Sequence, residues 1–169
     1  MENLVSKGEV TREMIIKKAA HIFSSQGYAG ASMSAIMQET GLEKGGIYNH
    51  FENKSELAIE AFDYAFELLW SQFEDAIATK SNAADKLISL TYAFAGLIRR
   101  PEFAAGCPVL NTAVDSDDTH PALRKHVQQA SDRWYTLMDE IVDNGKFAGE
   151  IRPEVDAQRL ATIMATSLE

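Results

Sequence analysis

Apolar side chains recur every three or four residues through nearly the whole chain, and this spacing constrains the fold more than any other feature of the sequence. The spacing places these side chains along one face of an α-helix, whereas a half-buried strand alternates apolar and polar residues. The first such segment begins near Thr11, and its repeating positions are Ile15, Ile16, Ala19, Ala20, Ile22 and Phe23. Because no segment alternates convincingly, the sequence predicts an all-α fold.

Glycines and hydroxyl residues divide the first third of the chain into short helices. Gly27 is expected to end the first helix, because glycine commonly follows a C-cap. Ser32 is a suitable N-cap for a second helix that ends at Gly41, and a third helix is predicted over residues 43–50. Two short helices joined by a glycine turn at residues 40–42 form a helix-turn-helix, whose second helix enters the major groove of DNA.

A longer helical region follows these short helices. Asn53, with Glu56 three residues later, resembles a capping box for a long helix over residues 54–78. The remaining helices are predicted over residues 83–100, from Pro108, from Pro121 to about Gly145, and from about Asp156. The predicted architecture is a three-helix helix-turn-helix domain at the N-terminus, joined by the long helix to a C-terminal helical domain.

Charge is distributed unevenly between these two regions. The chain of 169 residues has a net charge of -9. Residues 1–54 carry equal numbers of acidic and basic side chains, so residues 55–169 hold all the excess acid. An acidic chain argues against indiscriminate nucleic-acid binding but leaves room for a local basic patch.

Enzymatic and metal chemistry have weak support in the sequence. Cys107 is the only cysteine, which excludes an intrachain disulfide and a paired-cysteine metal site, and the histidines include no pair four residues apart. Neither a glycine-rich phosphate loop nor a Gly-x-Ser-x-Gly turn is present. We therefore expect no enzyme activity, no cofactor and no metal. No apolar run reaches the roughly 20 residues of a membrane span and no signal peptide is evident, so we expect no membrane contact and a cytoplasmic location.

The stretch TGLEKGGIYNHFENKSEL, residues 40–57, places Gly45 and Gly46 together in a short helix. Glycine inside a helix costs about 1 kcal/mol relative to alanine. A helix surface without Cβ atoms can lie close against a phosphate or a sugar, so close approach to DNA explains the pair. Ile47 and Phe51 are expected in the core, because their side chains are apolar.

Residues 19–57 resemble the DNA-binding domain of the TetR family of bacterial repressors. The matching positions are Ala19, Ala20, Phe23, Gly27, Tyr28, Ser32, Gly41, Lys44, Gly45, Tyr48, His50, Phe51 and Lys54. The resemblance implies a DNA-binding domain over residues 8–54, a helix-turn-helix at 32–51, and a double-stranded DNA operator as partner. Gly46 departs from the family, whose members often have Thr, Ser or Ala there.

The resemblance and the helix positions together predict a set of DNA-binding residues, which is Ser32, Ser34, Lys44, Gly45, Gly46, Tyr48, Asn49, His50 and Lys54. The resemblance implies that Lys44, Tyr48 and His50 lie near DNA and that Lys54 contacts a phosphate. Taken singly, each has an ordinary alternative: the lysines could be surface charges, Tyr48 could be half-buried packing and His50 could be a solvated histidine.

Residues 55–169 are implied by the same resemblance to form an effector-binding and dimerisation domain. The implied protein is a homodimeric repressor that a small, largely apolar ligand releases from its operator. Family members usually have one more C-terminal helix, so this domain is expected to be incomplete at its C-terminus. Two other functions stay open: a helical carrier or enzyme that binds a hydrophobic metabolite without operator-specific DNA binding, and an adaptor whose helix-turn-helix contacts protein.

Aromatic side chains are the main candidates for the ligand pocket. The candidate pocket residues are Phe62, Phe66, Trp70, Tyr92, Phe103, Cys107, Trp134 and Met138. Trp134 and Tyr92 are the preferred pair, because each combines an apolar body with a polar group. The alternative for each of these residues is ordinary core packing. For Cys107 we favour a small buried apolar role over redox chemistry.

The last predicted helix has an apolar face formed by Leu160, Ile163, Met164 and Leu168. Since an unpartnered apolar face marks an interface, we expect this face to form a homodimer. The alternative is that it packs inside one subunit on the helix that carries Trp134.

Overall fold

The computed structural model describes residues 6–97, 99–116 and 120–167, and these residues contain helices and no strand. The all-α prediction is confirmed. The helices are α1 (Lys7–Gly30), α2 (Met33–Thr40), α3 (Lys44–Tyr48), α4 (Lys54–Ala78), α5 (Ala83–Leu97), α6 (Pro108–Ser116), α7 (Pro121–Phe147) and α8 (Ala157–Ser167), with a short 3-10 turn at Pro101–Phe103. Among the described residues, none of the helices combines the length and the apolar composition that a membrane span requires.

The predicted boundaries of α2 are confirmed by its caps. The Ser32 hydroxyl accepts a hydrogen bond from the backbone N–H of Ala35 at 3.0 Å. At the other end, Gly41 has a φ of 71°, which glycine adopts without a Cβ penalty. The first helix differs from its prediction, because it bends at Gly27, where φ is 69°, and continues for one further turn to Gly30.

The start of α4 shows a modified capping box. The Asn53 side-chain oxygen accepts from the backbone N–H of Glu56 at 2.9 Å, as the sequence predicted. The Glu56 carboxylate accepts from the backbone N–H of Glu52 at 2.6 Å, one residue earlier than in the standard pattern. The carboxylate also lies in the first turn of the helix, where the dipole favours negative charge.

The helices divide into two compact units, of which the first comprises residues 1–66 and 108–126. Its core joins α1, α2, α3 and the start of α4 through fully buried side chains, among them Ile15, Ala19, Ile36, Ile47, Phe51, Leu57 and Ala61. The unit also includes α6, which packs on α1. At that contact the Asp115 carboxylate lies against the bend in α1, so close that a Cβ added to Gly27 would be 2.1 Å from Oδ2. A segment distant in sequence thus supports the N-terminal helices.

The second compact unit comprises residues 67–107 and 127–169. Three aromatic rings meet at its centre: the Phe73 ring centroid is 4.6 Å from Phe94 and 5.5 Å from Trp134. Helix α8 packs on α7, where Trp134 Nε1 donates a hydrogen bond to the Ala161 carbonyl oxygen at 3.2 Å. The Tyr135 and Thr162 hydroxyl groups, also 3.2 Å apart, extend this contact between α7 and α8.

Candidate nucleic-acid interface

Helices α2 and α3 are joined as a helix-turn-helix by a short turn that begins at the buried Thr40. The Thr40 hydroxyl donates to the Ile36 carbonyl oxygen at 2.7 Å, and the N–H of Gly41 donates to the Met37 carbonyl oxygen at 2.9 Å. Ile36 on α2 and Ile47 on α3 are both fully buried. Because these side chains fix the inner faces of both helices, the opposite faces point outward.

The outer face of α3 carries four exposed residues of the predicted DNA-binding set, which are Lys44, Gly45, Tyr48 and Asn49. Residues four apart on a helix share a face, which explains why this group is brought together. The Lys44 ammonium lies 5.6 Å from the centroid of the Tyr48 ring, and Tyr48 is 38 % exposed. This surface presents a cation, a phenol and an amide, groups that bind phosphates and base edges.

The remaining members of the set lie around this face. Ser34 is exposed on α2, whereas Ser32 uses its hydroxyl to cap that helix. Gly46 and His50 are half-buried. Phe51 is 2 % exposed, so the expected core role of the last helix-turn-helix residue is confirmed.

The two adjacent glycines of α3 are not required by packing against the described part of the chain. Among the residues that the structure describes, a Cβ added to Gly45 would meet no atom within 4 Å, and one added to Gly46 would first meet the Leu42 side chain at 3.4 Å, an ordinary contact. Both residues lie outside the positive-φ region. The fold therefore accommodates alanine at either position, and the space at Gly45 opens to the outside.

Lys54, the first residue of α4, lies against Tyr28 of α1. Its Nζ donates to the Tyr28 carbonyl oxygen at 2.5 Å and is 4.3 Å from the centroid of the Tyr28 ring. Partial burial lowers the pKa of Lys54 below its usual value of 10.5. An ammonium group has three donors, so this arrangement holds the cation in place while leaving it able to bind an anion.

Beside Lys54 the structure shows a side-chain cluster that the sequence did not predict. His120 is 7 % exposed, and its Nε2 is 2.7 Å from the Ser55 hydroxyl. Its Nδ1 accepts from the backbone N–H of Leu123 at 2.9 Å, and the edge of its ring meets Tyr28 with centroids 4.5 Å apart. The sequence does contain a local signal for one part of this cluster. His120 directly precedes Pro121 and so lies in the N-cap position of α7, where a side chain that accepts a hydrogen bond is favoured.

Within the first unit, Phe62 and Phe66 are the candidate pocket residues, and both are buried with ring centroids 6.3 Å apart. Phe62 lines a cleft together with residues of α1, α4, α6 and α7 that include Phe23, Tyr28, Thr112 and Leu123. The interior volume of the cleft is about 20 Å³. That volume suits roughly one water molecule and is far below the roughly 300–1,000 Å³ of a drug-sized pocket.

The other candidate pocket residues belong to the second unit. Trp70, Phe103, Trp134 and Met138 are buried and Cys107 is half-buried. Trp70 Nε1 donates to the Glu74 carboxylate at 2.6 Å, so the indole donors of both tryptophans are engaged. Tyr92 is 74 % exposed, and the structure does not bring it together with the buried group. Within this chain the preferred pair of Trp134 and Tyr92 is therefore separated.

The predicted dimer face is partly covered within the subunit. Met164 is 8 % exposed, so the expectation that this face has no partner in the chain is wrong for that residue, because α8 packs on α7. Leu160 is half-buried and Ile163 is 49 % exposed. Leu168 lies outside the described residues. No group of three potential metal-ligating side chains occurs among the residues that the structure describes.

Comparisons with known proteins match both halves of the chain. Residues 15–61 match the family model of bacterial regulatory proteins of the tetR family, and residues 83–169 match the model of a tetracyclin repressor-like C-terminal domain. A TetR transcriptional regulator from Chloroflexus aurantiacus J-10-FL superposes with a TM-score of 0.91 and is 46% identical, over 96% of this chain and 82% of that one.

Two further proteins are similar over most of their length. The HTH-type transcriptional regulator LmrA of Bacillus subtilis is 28% identical over 131 residues, which are 77% of this chain and 70% of LmrA. The transcriptional regulator FadR of Bacillus subtilis, solved in complex with stearoyl-CoA, has a TM-score of 0.74 over 92% of this chain and 82% of that one. At 21% identity, the likeness to FadR shows a shared fold.

Proposed function

The chain belongs to the TetR family of bacterial transcriptional regulators, and from this premise we propose that it is a homodimeric repressor that a small, largely apolar ligand releases from its operator. Members of this family are DNA-binding regulators and not enzymes. We propose further that the protein acts in the cytoplasm and that it lowers, rather than raises, transcription of the genes it controls.

We propose that the outer face of α3 contacts DNA. Lys44, Tyr48 and Asn49 are exposed there, and no atom of the described residues lies within 4 Å of a Cβ added to Gly45. In this motif the second helix enters the major groove and the first crosses the backbone. We assign base or phosphate contacts to α3, with Ser32, Ser34, Gly46 and His50 at its edges, and a phosphate contact to Lys54.

The dimer is proposed to form through α8. Ile163 supports this role, because it is a large apolar side chain that is half exposed, and a second subunit would bury its exposed surface. Leu160 and Leu168 complete the proposed interface. Two recognition helices related by two-fold symmetry would then lie roughly 34–36 Å apart, or a multiple of that spacing, along the DNA.

The ligand is proposed to bind in the second unit, among Trp70, Phe103, Cys107, Trp134 and Met138. FadR supports a lipid-like ligand on this fold, since it was solved with stearoyl-CoA. Helix α4 supports a link between ligand binding and DNA binding. It begins at Lys54, the proposed phosphate contact, and its residues beyond Phe66 belong to the second unit. Release requires the ligand to favour one conformation, and such coupling is typically about 1–3 kcal/mol.

One experiment tests the proposal as a whole. The protein is mixed with labelled DNA from the region upstream of its own gene, and small apolar compounds are then screened for both thermal stabilisation and release of that DNA. Tight binding that a stabilising compound reverses is the expected result. Compounds that raise the melting temperature without changing DNA affinity would refute ligand-induced release. Compound binding with no DNA binding at all would favour the carrier.

A further inference from the structure

The N-terminus of α7 is capped by a histidine, His120, that belongs to the same compact unit as the helix-turn-helix. His120 Nδ1 accepts from the backbone N–H of Leu123 at 2.9 Å. A ring nitrogen that accepts carries no proton, so in the neutral ring the proton lies on Nε2. Nε2 therefore donates to the Ser55 hydroxyl, 2.7 Å away. One neutral tautomer makes both hydrogen bonds at a site where the side chain is almost fully buried.

These contacts converge on the first turn of α4. Ser55 directly follows Lys54 in the chain. The His120 ring meets the Tyr28 ring edge-on, at an interplanar angle of 78°. The Lys54 ammonium in turn lies over the Tyr28 ring and donates a hydrogen bond to the Tyr28 carbonyl oxygen. His120 thus contacts both the neighbour of Lys54 and the residue against which the Lys54 ammonium rests.

We infer that His120 is a positioning residue for DNA binding, which holds the start of α4 so that the Lys54 ammonium meets a DNA phosphate. Capping α7 needs a single acceptor, which asparagine or aspartate supplies equally well. The bond to Ser55 and the contact with Tyr28 need the length and the second nitrogen of imidazole. The inference rests on the proposed phosphate contact of Lys54.

The His120→Asn variant separates these two roles. Asparagine keeps the acceptor that caps α7, but its side chain is shorter than that of histidine and lacks the nitrogen that reaches Ser55. The measurement is affinity, across a salt titration, for a fluorescent duplex that the wild-type protein selects from a random-sequence pool. We expect the slope of log affinity against log salt to fall by about one unit, as for Lys54→Ala. Partial unfolding would lower the active concentration without changing that slope.

The chain offers a matched control in the same helix. His126 Nδ1 lies 2.8 Å from Asp63 Oδ1, so it too joins α7 to α4, but away from the first turn. His126→Asn is expected to keep the wild-type slope. Ser55→Ala removes the hydrogen bond from the half-buried partner and should reproduce the lower slope even if His120→Asn fails to fold. In the Lys54→Ala background, His120→Asn should lower the slope no further.

The outcomes distinguish the inference from its premise. A wild-type slope in both His120→Asn and Ser55→Ala overturns the inference. An equal fall in His126→Asn also overturns it, because the effect would then reflect a general loosening of α7 from α4. A wild-type slope in Lys54→Ala instead contradicts the proposed phosphate contact, and with it the premise of the inference.

Discussion

The Gly45→Ala substitution is expected to make the folded protein more stable and its complex with DNA weaker. A Cβ at this position meets no atom of residues 6–97, 99–116 and 120–167 within 4 Å, and the backbone lies outside the positive-φ region. Alanine is favoured over glycine in a helix by about 0.5–1 kcal/mol. For a chain of this length, that difference corresponds to a rise in melting temperature of about 1–4 °C.

In the complex with DNA the same methyl group has the opposite effect. If α3 lies against the DNA backbone at Gly45, the methyl group occupies space that the nucleic acid fills. Overpacking of a close contact typically costs about 1–3 kcal/mol. At about 1.4 kcal/mol per tenfold change, affinity should fall by about 5-fold to 150-fold. Thermal melting measures the first effect, and fluorescence anisotropy with a labelled duplex measures the second.

Gly96→Ala is the matched control for this experiment. Gly96 lies on α5, and a Cβ there also meets no described atom within 4 Å, so its replacement should raise the melting temperature without changing DNA affinity. A Gly45→Ala protein that melts at a higher temperature and binds DNA as tightly as wild type would refute the close approach of α3 to the DNA backbone.

Lys54→Ala should weaken binding about equally for all DNA sequences and lower the slope of log affinity against log salt by about one unit. Lys44→Ala should also change sequence preference by about 1–3 kcal/mol, which competition between duplexes measures. Gly27→Ala should destabilise the fold by about 1–3 kcal/mol, because φ of 69° with ψ of 169° is a backbone conformation confined almost entirely to glycine and the Asp115 carboxylate fills the space. Asp115→Ala should relieve part of this loss in a thermal melt. Ile163→Asp should convert a dimer into a monomer at micromolar concentration, and a wild-type monomer in sedimentation would contradict the proposed interface.

Local signals in the sequence predicted most helix boundaries. Ser32 and Gly41 marked both ends of α2, because a capping hydroxyl and a left-handed glycine act on the residues next to them. Gly27 was expected to end the first helix, whereas in the structure the helix bends there and continues for one further turn to Gly30. The contact of Asp115 with this bend joins residues 88 positions apart, and no local pattern encodes such a contact.

The inner side of the candidate site was predictable from side-chain chemistry. Ile47 and Phe51 were expected in the core because they are apolar, and the structure buries both. The position of Lys54 on Tyr28 depends on the packing of α1 against α4, which the sequence pattern does not specify. The exposure of Tyr92 has the same origin, since burial of an aromatic residue is decided by its tertiary neighbours.

The first compact unit is discontinuous in sequence, and this has a consequence for building chimaeric regulators. A junction placed just after residue 66 would transfer the N-terminal helices without residues 108–126, which complete the same unit. The graft would lose the carboxylate that fills the bend at Gly27 and the imidazole that binds Ser55. A DNA-reading module exchanged between relatives should therefore travel as two segments, with α6 and the first turns of α7 taken from the same parent as α1.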